Sequence, residues 1–263
     1  MKLTDKLMPL DKETLLERIN TGMKDNDISS EIIAAYLTGS RLRNLNDAQS
    51  DFDVYVITKP TRDEILSGQH LSTQIKVSGH NDIDIHCLDL LQLRKELLKG
   101  SITLLEMLSS EPIFLEDIDF AKITGLPLIE INPEKTIKSV LGMSKSVSKA
   151  IEKGKRLKDA SLIVHFANLL RQYITHGYIF EVEASDNVKE WRKHVEQTQI
   201  LLDSKNYTDA NKEAILQSEK TKFEDVIREV EQMKDFLDFS NREKNQQVKD
   251  DLDGLIWTIC KKG

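Results

Sequence analysis

Two short segments of the sequence combine residue types that could bind phosphate and a divalent cation. An apolar run stops at Gly39-Ser40, and about ten residues later a second apolar run opens with Asp51-Phe52-Asp53. Side chains alternate between the two faces of a strand, so Asp51 and Asp53 project from the same face. Neighbouring carboxylates repel each other unless water or a cation lies between them. Because glycine lets the backbone approach an anion, and amides with a hydroxyl can hold phosphate oxygens, the two segments predict phosphoryl or nucleotidyl transfer.

This order of features resembles the DNA polymerase β-like nucleotidyltransferase superfamily. The shared pattern is an apolar residue, Gly-Ser, a spacer of about ten residues, Asp-x-Asp at the head of a strand, and a third acid on a later strand. In this chain the third acid falls within Asp82-Ile83-Asp84-Ile85. Asp84 is favoured because it has an apolar neighbour on each side. Asp82, two residues earlier on the same face, is the alternative.

The resemblance implies a metal-dependent nucleotidyltransferase. Such an enzyme moves a nucleoside monophosphate from a nucleoside triphosphate, for example ATP, to an acceptor hydroxyl and releases pyrophosphate. Asp51 and Asp53 would bridge two Mg²⁺ (or Mn²⁺) ions, and Asp84 would complete the second metal site or act as base. Ser40, with the backbone of Gly39, would hold the β- and γ-phosphates.

Arginines supply further candidates for nucleotide binding. Arg41 and Arg43 follow the Gly-Ser turn, where an arginine fork suits phosphate oxygens, and the alternative is a solvated surface pair. Arg171 lies in an apolar helical stretch and needs an anionic partner if it is not solvated, so we include it in the nucleotide site. His165, six residues earlier, could face the same cleft or be a core histidine.

A longer stretch narrows the resemblance to a branch of predicted nucleotidyltransferases associated with RNA repair. Between residues 79 and 109, the segment of Asp84 leads to a helical pattern, then to Lys99-Gly100, then to an apolar helix that carries Glu106. The branch implies that an RNA end is a possible acceptor and that Lys99 approaches the nucleotide. The alternative for Lys99 is a solvated lysine at a helix end. The resemblance is close over residues 30–110, loose over 145–180 and faint beyond.

The overall charge gives no support for nucleic-acid binding. With 37 basic and 44 acidic residues the net charge is −7, so any electrostatic attraction to a polynucleotide must come from a local patch.

One segment could form such a patch. Residues 135–158 carry eight basic residues against one acidic residue, a local excess of +7. Three interpretations stay open for this basic segment: a solvated helix face, a lid over the triphosphate, or a track for a polynucleotide acceptor. Its basic residues are Lys135, Lys138, Lys145, Lys149, Lys153, Lys155, Arg156 and Lys158.

The remaining composition points to a cytoplasmic protein without a membrane partner. The chain has two cysteines, Cys87 and Cys260, which lie far apart without metal-ligand spacing, so a reducing compartment is expected. The first residues lack the apolar core of a signal peptide, and no later segment approaches the length needed to span a bilayer.

Hydrophobic periodicity predicts the elements that position the candidate residues. Strands are expected over residues 31–37, 52–58, 72–78 and 82–88, the last two as a hairpin, and helices over 11–19, 62–66, 90–98 and 102–108. From residue 134 the pattern is almost entirely helical, with later helices over 187–202, 208–237 and 242–260. The resemblance implies that the strand of Asp84 lies beside the strand of Asp53.

These elements predict an α+β fold in two domains. At 263 residues the chain is long enough for two hydrophobic cores. We expect a catalytic domain over residues 1–125, with a nucleotidyltransferase-type mixed β-sheet and flanking helices, and an all-helical C-terminal domain over 126–263.

Two other functions are compatible with the sequence. One is nucleotidylation of a protein or small molecule, which would keep the same core but require a different acceptor surface. The other is a non-catalytic module that binds a nucleotide or a partner. The three carboxylates favour catalysis over the second alternative.

Overall fold

The computed structural model describes residues 10–46, 50–79, 81–155, 157–204, 208–236 and 242–262. The chain divides into two compact units. The first unit comprises Met1–Asn132, Glu181–Glu183 and Asn241–Gly263, and the second comprises Pro133–Phe180 and Ala184–Ser240.

The first unit contains a five-stranded sheet with helices. Its strands are β1 (Ile32–Leu37), β2 (Phe52–Thr58), β3 (Ser72–Val77), β4 (Ile83–Asp89) and β5 (Phe114–Leu115). Its helices are α1 (Lys12–Asp25), α2 (Gly39–Leu42), α3 (Arg62–Ser67), α4 (Leu90–Leu98), α5 (Ile102–Leu108), α6 (Ile118–Thr124), a 3₁₀ turn (Leu128–Ile131) and α11 (Arg242–Lys261).

The sheet has the strand order β3-β4-β2-β1-β5 and is mixed. β2 and β4 run parallel, with Asp53 opposite Asp84. The β1–β2, β1–β5 and β3–β4 pairs are antiparallel. The predicted position of the Asp84 strand beside the Asp53 strand is therefore confirmed.

Helix α1 covers one face of this sheet because its apolar residues recur every four positions. Leu15, Ile19 and Met23 are buried and belong to the same core cluster as Phe52 and Val54 of β2. Burial of each large aliphatic side chain contributes about 1.5–3 kcal/mol. Asp11 begins the helix, since its carboxylate accepts from the Thr14 amide at 2.7 Å. The alternation along β2 leaves Asp53 on the opposite face.

Asp89 joins the sheet to the helix that follows it. Its Oδ1 accepts from the Gln92 amide at 2.6 Å and caps α4, while its Oδ2 accepts from the Leu71 amide at 2.6 Å, just before β3. At the other end of α4, Gly100 adopts a positive φ of 74°, as the Lys-Gly sequence predicts. The predicted helices over residues 90–98 and 102–108 are confirmed as α4 and α5.

A buried ion pair connects the chain after α2 to α5. Arg43 Nε donates to Glu106 Oε1 at 2.7 Å, and its Nη2 donates to Oε2 at 2.6 Å. Both residues are buried, so a charge left without its partner would be strongly unfavourable. The ion pair thus brings together two residues that lie 63 positions apart in the sequence.

The second unit is helical. Its helices are α7 (Pro133–Ile151), α8 (Leu157–His176), α9 (Asp186–Asp203), α10 (Asp209–Gln232) and a 3₁₀ turn (Met233–Phe236). Leu157, Val195 and Leu202 form one of its buried clusters. The expected helix over 208–237 thus ends at Gln232 and continues as the 3₁₀ turn, with residue 237 outside the described residues.

The last helix, α11, packs within the first unit. Arg94 of α4 donates from Nη2 to Asp253 Oδ2 at 2.7 Å, and Lys262 donates from Nζ to Asp117 Oδ1 at 3.0 Å, just before α6. The predicted fold class, a mixed sheet with flanking helices plus an all-helical region, is confirmed. The domain division at residues 125 and 126 stays a prediction.

Two further properties follow from the described residues. Within them, no helix is both long enough and apolar enough to cross a bilayer. Cys87 is buried in the sheet and Cys260 is partly buried in α11, and both are free thiols.

We expect Glu106→Ala to lower the free energy of unfolding by about 3–5 kcal/mol, because it leaves the Arg43 guanidinium buried without its carboxylate. Urea unfolding measures this loss. Glu111→Ala removes an exposed carboxylate three residues after α5 and should change stability by less than about 0.5 kcal/mol. Replacing both partners with leucine should recover much of the loss. A Glu106→Ala effect as small as that of the control would contradict a structural role for the pair.

Candidate active site

The chain turns directly after β1, and this turn contacts Asp53, which lies in the middle of the candidate site. After Leu37, the Thr38 amide donates to the Asp53 carbonyl oxygen at 2.8 Å, and the Thr38 hydroxyl donates to the same oxygen at 3.2 Å. Gly39 follows with a φ of +66°, and a β-carbon on it would lie 1.9 Å from Asp53 Oδ2. The Asp53 carboxylate therefore rests on the α-carbon of Gly39. Only glycine satisfies both the backbone conformation and the close approach.

Asp53 and Asp84 occupy matching positions on neighbouring parallel strands. Adjacent strands lie about 4.8 Å apart, so the two side chains on one face are close neighbours. Both are partly buried. Burial, followed by the negative charge of Asp84, raises the pKa of Asp53, although His86 and Arg43 act in the opposite direction. The structure thus places two carboxylates where a bound cation would relieve their repulsion.

Asp51 lies immediately before β2, which begins at Phe52. Its side chain is exposed, and its charge contributes to the raised pKa of Asp53 after burial, which is the largest cause. The described residues contain no group of three or more His, Cys, Asp or Glu side chains arranged to hold a metal ion. Asp53 and Asp84 are the two carboxylates that the sheet itself brings together.

Asp82 and Asp84 differ in what their side chains contact. Asp82 Oδ1 accepts from the Gly79 amide at 3.1 Å, and its Oδ2 lies 3.2 Å from Lys76 Nζ. The Gly79 amide and then the Lys76 ammonium lower the pKa of Asp82. Asp82 therefore stabilises the turn between β3 and β4, a turn that includes residue 80, outside the described residues. This geometry supports Asp84 as the third acid.

The two arginines that follow the Gly-Ser turn are buried. Arg41 donates from Nη2 to the Ser50 carbonyl oxygen at 2.5 Å and from Nε to the Asp51 carbonyl oxygen at 3.2 Å. Its guanidinium carbon lies 3.8 Å from the centre of the Phe52 ring. Arg41 thus fixes the chain just before β2. Its predicted contact with the nucleotide stays a prediction, and Arg43, paired with Glu106, is not a solvated surface residue.

A second pair of side chains extends the site along the same face. Tyr55 and His86 follow the aspartates by two positions and are themselves opposite each other. Their rings stack with centroids 4.9 Å apart, and His86 Nδ1 lies 3.0 Å from Gln74 Nε2 on β3. Neither residue was predicted from the sequence. The signal was the two-residue period, which places Tyr55 with Asp53 and His86 with Asp84.

Lys99, predicted as an alternative nucleotide contact, lies at the end of α4. It is exposed and its Nζ donates to Glu96 Oε1 at 2.7 Å. The geometry supports the interpretation as a solvated lysine at a helix end.

The predicted site residues of the helical region lie in the second unit. Arg171 is exposed and pairs with Glu229 of α10, so its guanidinium has both solvent and an anionic partner. His165 is buried in α8 beside Phe166. The assignment of Arg171 to nucleotide binding stays a prediction.

The basic segment covers most of α7 and reaches Lys158 in the first turn of α8. Lys145, Lys149 and Lys153 are exposed, and Lys138 pairs with Glu134. Arg156 lies outside the described residues. The segment therefore has an exposed basic face, as the interpretation as a solvated helix face requires.

Comparison with known proteins assigns this arrangement to a family. The model of the RNA repair pathway DNA polymerase beta family matches residues 12–258. A nucleotidyltransferase-like protein from Exiguobacterium sibiricum 255-15, known from its crystal structure, is 14% identical; the match covers 95% of this chain and 92% of that one, with a TM-score of 0.29. No curated protein matches the chain. The family match includes all six of the site residues predicted in the first unit, as well as Arg171.

We expect Gly39→Ala to destabilise the protein more than Gly68→Ala does. Both glycines have nearly the same φ, +66° and +67°, so alanine meets a similar backbone cost of about 1–2 kcal/mol at each. Nothing lies within 4 Å of a β-carbon at Gly68, whereas at Gly39 it collides with Asp53. Gly39→Ala should therefore lose about a further 1–3 kcal/mol in chemical unfolding. Equal losses would mean that Asp53 moves away from Gly39 without cost.

The raised pKa of Asp53 predicts how Asp53→Asn changes stability with pH. Because the folded pKa exceeds the model value of 3.8, the wild type loses stability as pH rises through the folded pKa, and asparagine does not titrate. In buffer with a chelator, Asp53→Asn should melt at a higher temperature than the wild type near pH 7. The difference should shrink as pH falls towards about 4.

Asp51→Asn is the matched control, since it makes the same chemical change at an exposed carboxylate, and it should shift the melting temperature less. Millimolar Mg²⁺ should narrow the gap by stabilising the wild type. A wild type more stable than Asp53→Asn at pH 7 in chelator would contradict the repulsion between Asp53 and Asp84.

Proposed function

The chain belongs to the RNA repair pathway DNA polymerase beta family, and we propose that it is a metal-dependent nucleotidyltransferase. The resemblance inferred from the Gly-Ser turn and the aspartates is thereby confirmed at the level of the family. In the proposed reaction a nucleoside monophosphate passes from a nucleoside triphosphate to an acceptor hydroxyl. The observation that carries the proposal is the position of Asp53, opposite Asp84 and in contact with Gly39.

Polymerase β-like nucleotidyltransferases generally use divalent metal ions, and the carboxylates suit one. Asp53 and Asp84, with Asp51 at the head of β2, supply the oxygen ligands that Mg²⁺ and Mn²⁺ prefer. The like-charged pair and the raised pKa of Asp53 support a bound cation, because a cation would offset both. When bound, the ion would neutralise triphosphate charge and lower the pKa of the acceptor hydroxyl.

The residues of this chain would bind and orient the two reactants. The backbone at Gly39 and the Ser40 hydroxyl, which follow Thr38 beside Asp53, would hold the β- and γ-phosphates. Arg41 would act through the chain, because it holds the carbonyl oxygens of Ser50 and Asp51 and so fixes the start of β2. Arg171 would contribute to nucleotide binding only if it exchanged Glu229 for phosphate.

The proposed transfer forms one bond and breaks one. The acceptor oxygen bonds to the α-phosphorus, while the bond from that phosphorus to the bridging oxygen breaks. Pyrophosphate leaves with the electron pair of the broken bond. The hydroxyl proton passes to the Asp84 carboxylate, which acts as base, and from there to solvent.

We propose an RNA end as the acceptor. The family description and the exposed lysines of α7 support this choice, because a polynucleotide needs cationic side chains along its backbone. Nucleotidylation of a protein or small molecule is the alternative. A non-catalytic binding module is less favoured, since a carboxylate pair that never binds a cation only destabilises the fold.

Label transfer tests the proposal and the choice of third acid together. With each labelled nucleoside triphosphate, Mg²⁺ or Mn²⁺ and total RNA, the wild type should label RNA and release pyrophosphate. Asp53→Asn and Asp84→Asn should each lower kcat at least about a thousandfold, as expected when a group that acts only in the transition state is removed. Asp82→Asn is the matched control, since it changes an aspartate two residues away that contacts Gly79 and Lys76.

Each failure has its own meaning. If Asp82→Asn loses activity and Asp84→Asn does not, the third acid is Asp82. If label enters protein or a small molecule and not RNA, the acceptor is wrong. If the folded wild type binds triphosphate but releases no pyrophosphate with any acceptor fraction of a cell lysate, the protein is a binding module.

A further inference from the structure

A polar cavity lies in the first unit on the same side of the sheet as the paired aspartates. Its volume is about 510 Å³, which is within the usual range for small-molecule sites. Its floor is made by β2, β4 and β3, and its side by α4 and the start of α5. The lining residues used below are Tyr55, Gln74, His86, Gln92 and Glu96.

The cavity continues directly from the carboxylates. Tyr55 and His86 are the next residues on the face of Asp53 and Asp84, one on each strand. Two residues of a strand advance about 6.6–6.8 Å, so the cavity begins within one nucleoside length of the aspartates. It contains no residue assigned above to phosphate or metal binding.

The cavity and Gly39 lie on opposite sides of the aspartates. Gly39 follows β1, which pairs with β2 on one edge, whereas the cavity extends across β4 to Gln74 of β3. In phosphoryl transfer the attacking and leaving oxygens are roughly in line, on opposite sides of the phosphorus. If pyrophosphate leaves towards Gly39 and Ser40, the acceptor must approach from the side of the cavity.

The chemistry of the walls selects an uncharged polar group. Among the described residues that line the cavity none is lysine or arginine, and the charge of the neighbouring Lys99 is offset by the Glu96 carboxylate, which lies 2.7 Å from its Nζ. Glu96 Oε1 accepts from Gln92 Nε2 at 2.9 Å and from Lys99 Nζ at 2.7 Å, and these two bonds hold the carboxylate in one position. A carboxylate accepts hydrogen bonds from hydroxyl and amino groups.

The aromatic part of the wall narrows the class of ligand further. The stacked rings of Tyr55 and His86 give the cavity an aromatic surface next to the amide of Gln74. Bases stack on aromatic side chains and bond to amides at their edges. An aromatic surface, an amide and a carboxylate together match a base and a ribose better than they match a simple polyol.

We propose that this cavity binds the terminal nucleoside of the RNA acceptor and directs its hydroxyl towards Asp84. Tyr55, His86 and Gln74 contact the base, and Glu96 accepts hydrogen bonds from the ribose hydroxyls. The phosphates of the RNA lie outside the cavity. The assignment rests on the proposed function for the direction of the hydroxyl, whereas binding of a nucleoside can be measured without catalysis.

The binding experiment uses ligand-observed NMR titration of the whole protein with adenosine, cytidine, guanosine and uridine, without triphosphate. At least one nucleoside should bind. Gln74→Leu and Glu96→Gln should each weaken its binding about tenfold, since a hydrogen bond to an amide or a charged group is lost. Gln69→Leu makes the same change as Gln74→Leu at an exposed residue between α3 and β3 that does not line the cavity, and it should bind like the wild type.

The kinetic experiment uses a twelve-nucleotide RNA with free terminal hydroxyls and the preferred triphosphate. Gln74→Leu and Glu96→Gln should raise the KM for RNA about tenfold and leave the KM for triphosphate unchanged. Circular dichroism and thermal melting of each variant show whether it is folded. Restoring the carboxylate with Glu96→Asp should recover part of the RNA affinity, which a purely structural role for Glu96 would not produce.

The outcomes separate this inference from the proposed function. Failure of every nucleoside to bind the wild type, or equal binding by all three variants, overturns the assignment of the cavity even if RNA is labelled. An aminosugar that binds the cavity more tightly than any nucleoside also overturns it. If nucleosides bind and the two cavity variants lose them, but no RNA is labelled, the cavity assignment stands and the proposed reaction fails.

Discussion

Two carboxylates held side by side are the constraint on which the rest of the site depends. Parallel pairing of β2 with β4 places Asp53 opposite Asp84. Neither can turn into the core, because the alternating positions are filled by Phe52 and Val54 on β2 and by Ile83 and Ile85 on β4. Burial and the charge of Asp84 raise the pKa of Asp53, so the arrangement costs stability when both groups are ionised. The surrounding structure must therefore supply interactions that hold the two carboxylates in place and offset this cost.

Those interactions come from the chain between β1 and β2. Gly39 lets the Asp53 carboxylate lie against the backbone, Arg41 holds the carbonyl oxygens that precede β2, and Arg43 joins the same connection to Glu106. Two buried arginines in one connection give it positive charge near the carboxylates without placing a cation between them. The described part of the connection is therefore held in place at both of its ends, at Gly39 by Asp53 and at Ser50 and Asp51 by Arg41.

Much of the sheet could be predicted from local pattern, because alternation and helix periodicity act over a few residues. The strand over residues 52–58 and the helix over 90–98 were predicted with their bounds, and the helix that starts at residue 102 was predicted with its start. The position of β4 beside β2 followed from the family resemblance. Contacts between distant residues could not be predicted. No sequence pattern indicates that Arg43 pairs with Glu106. The partners of Arg41 are backbone carbonyl oxygens, which every residue type has, so the sequence could not identify them. The stacked Tyr55 and His86 were accessible to the same alternation argument that identified the aspartates.

The return of α11 to the first unit has a consequence for how the protein is synthesised. All five strands precede residue 116, whereas Leu252, Ile256 and Ile259 of α11, which are buried in the folded chain, leave the ribosome more than a hundred residues later. Until then the surface that α11 covers near α4 and α6 is exposed on the nascent chain, and such transient apolar surface is what chaperones bind. The segments that carry the aspartates can thus pair early, but the unit that contains them is completed only when α11 packs against it. The first unit is therefore completed only after α11 has been synthesised.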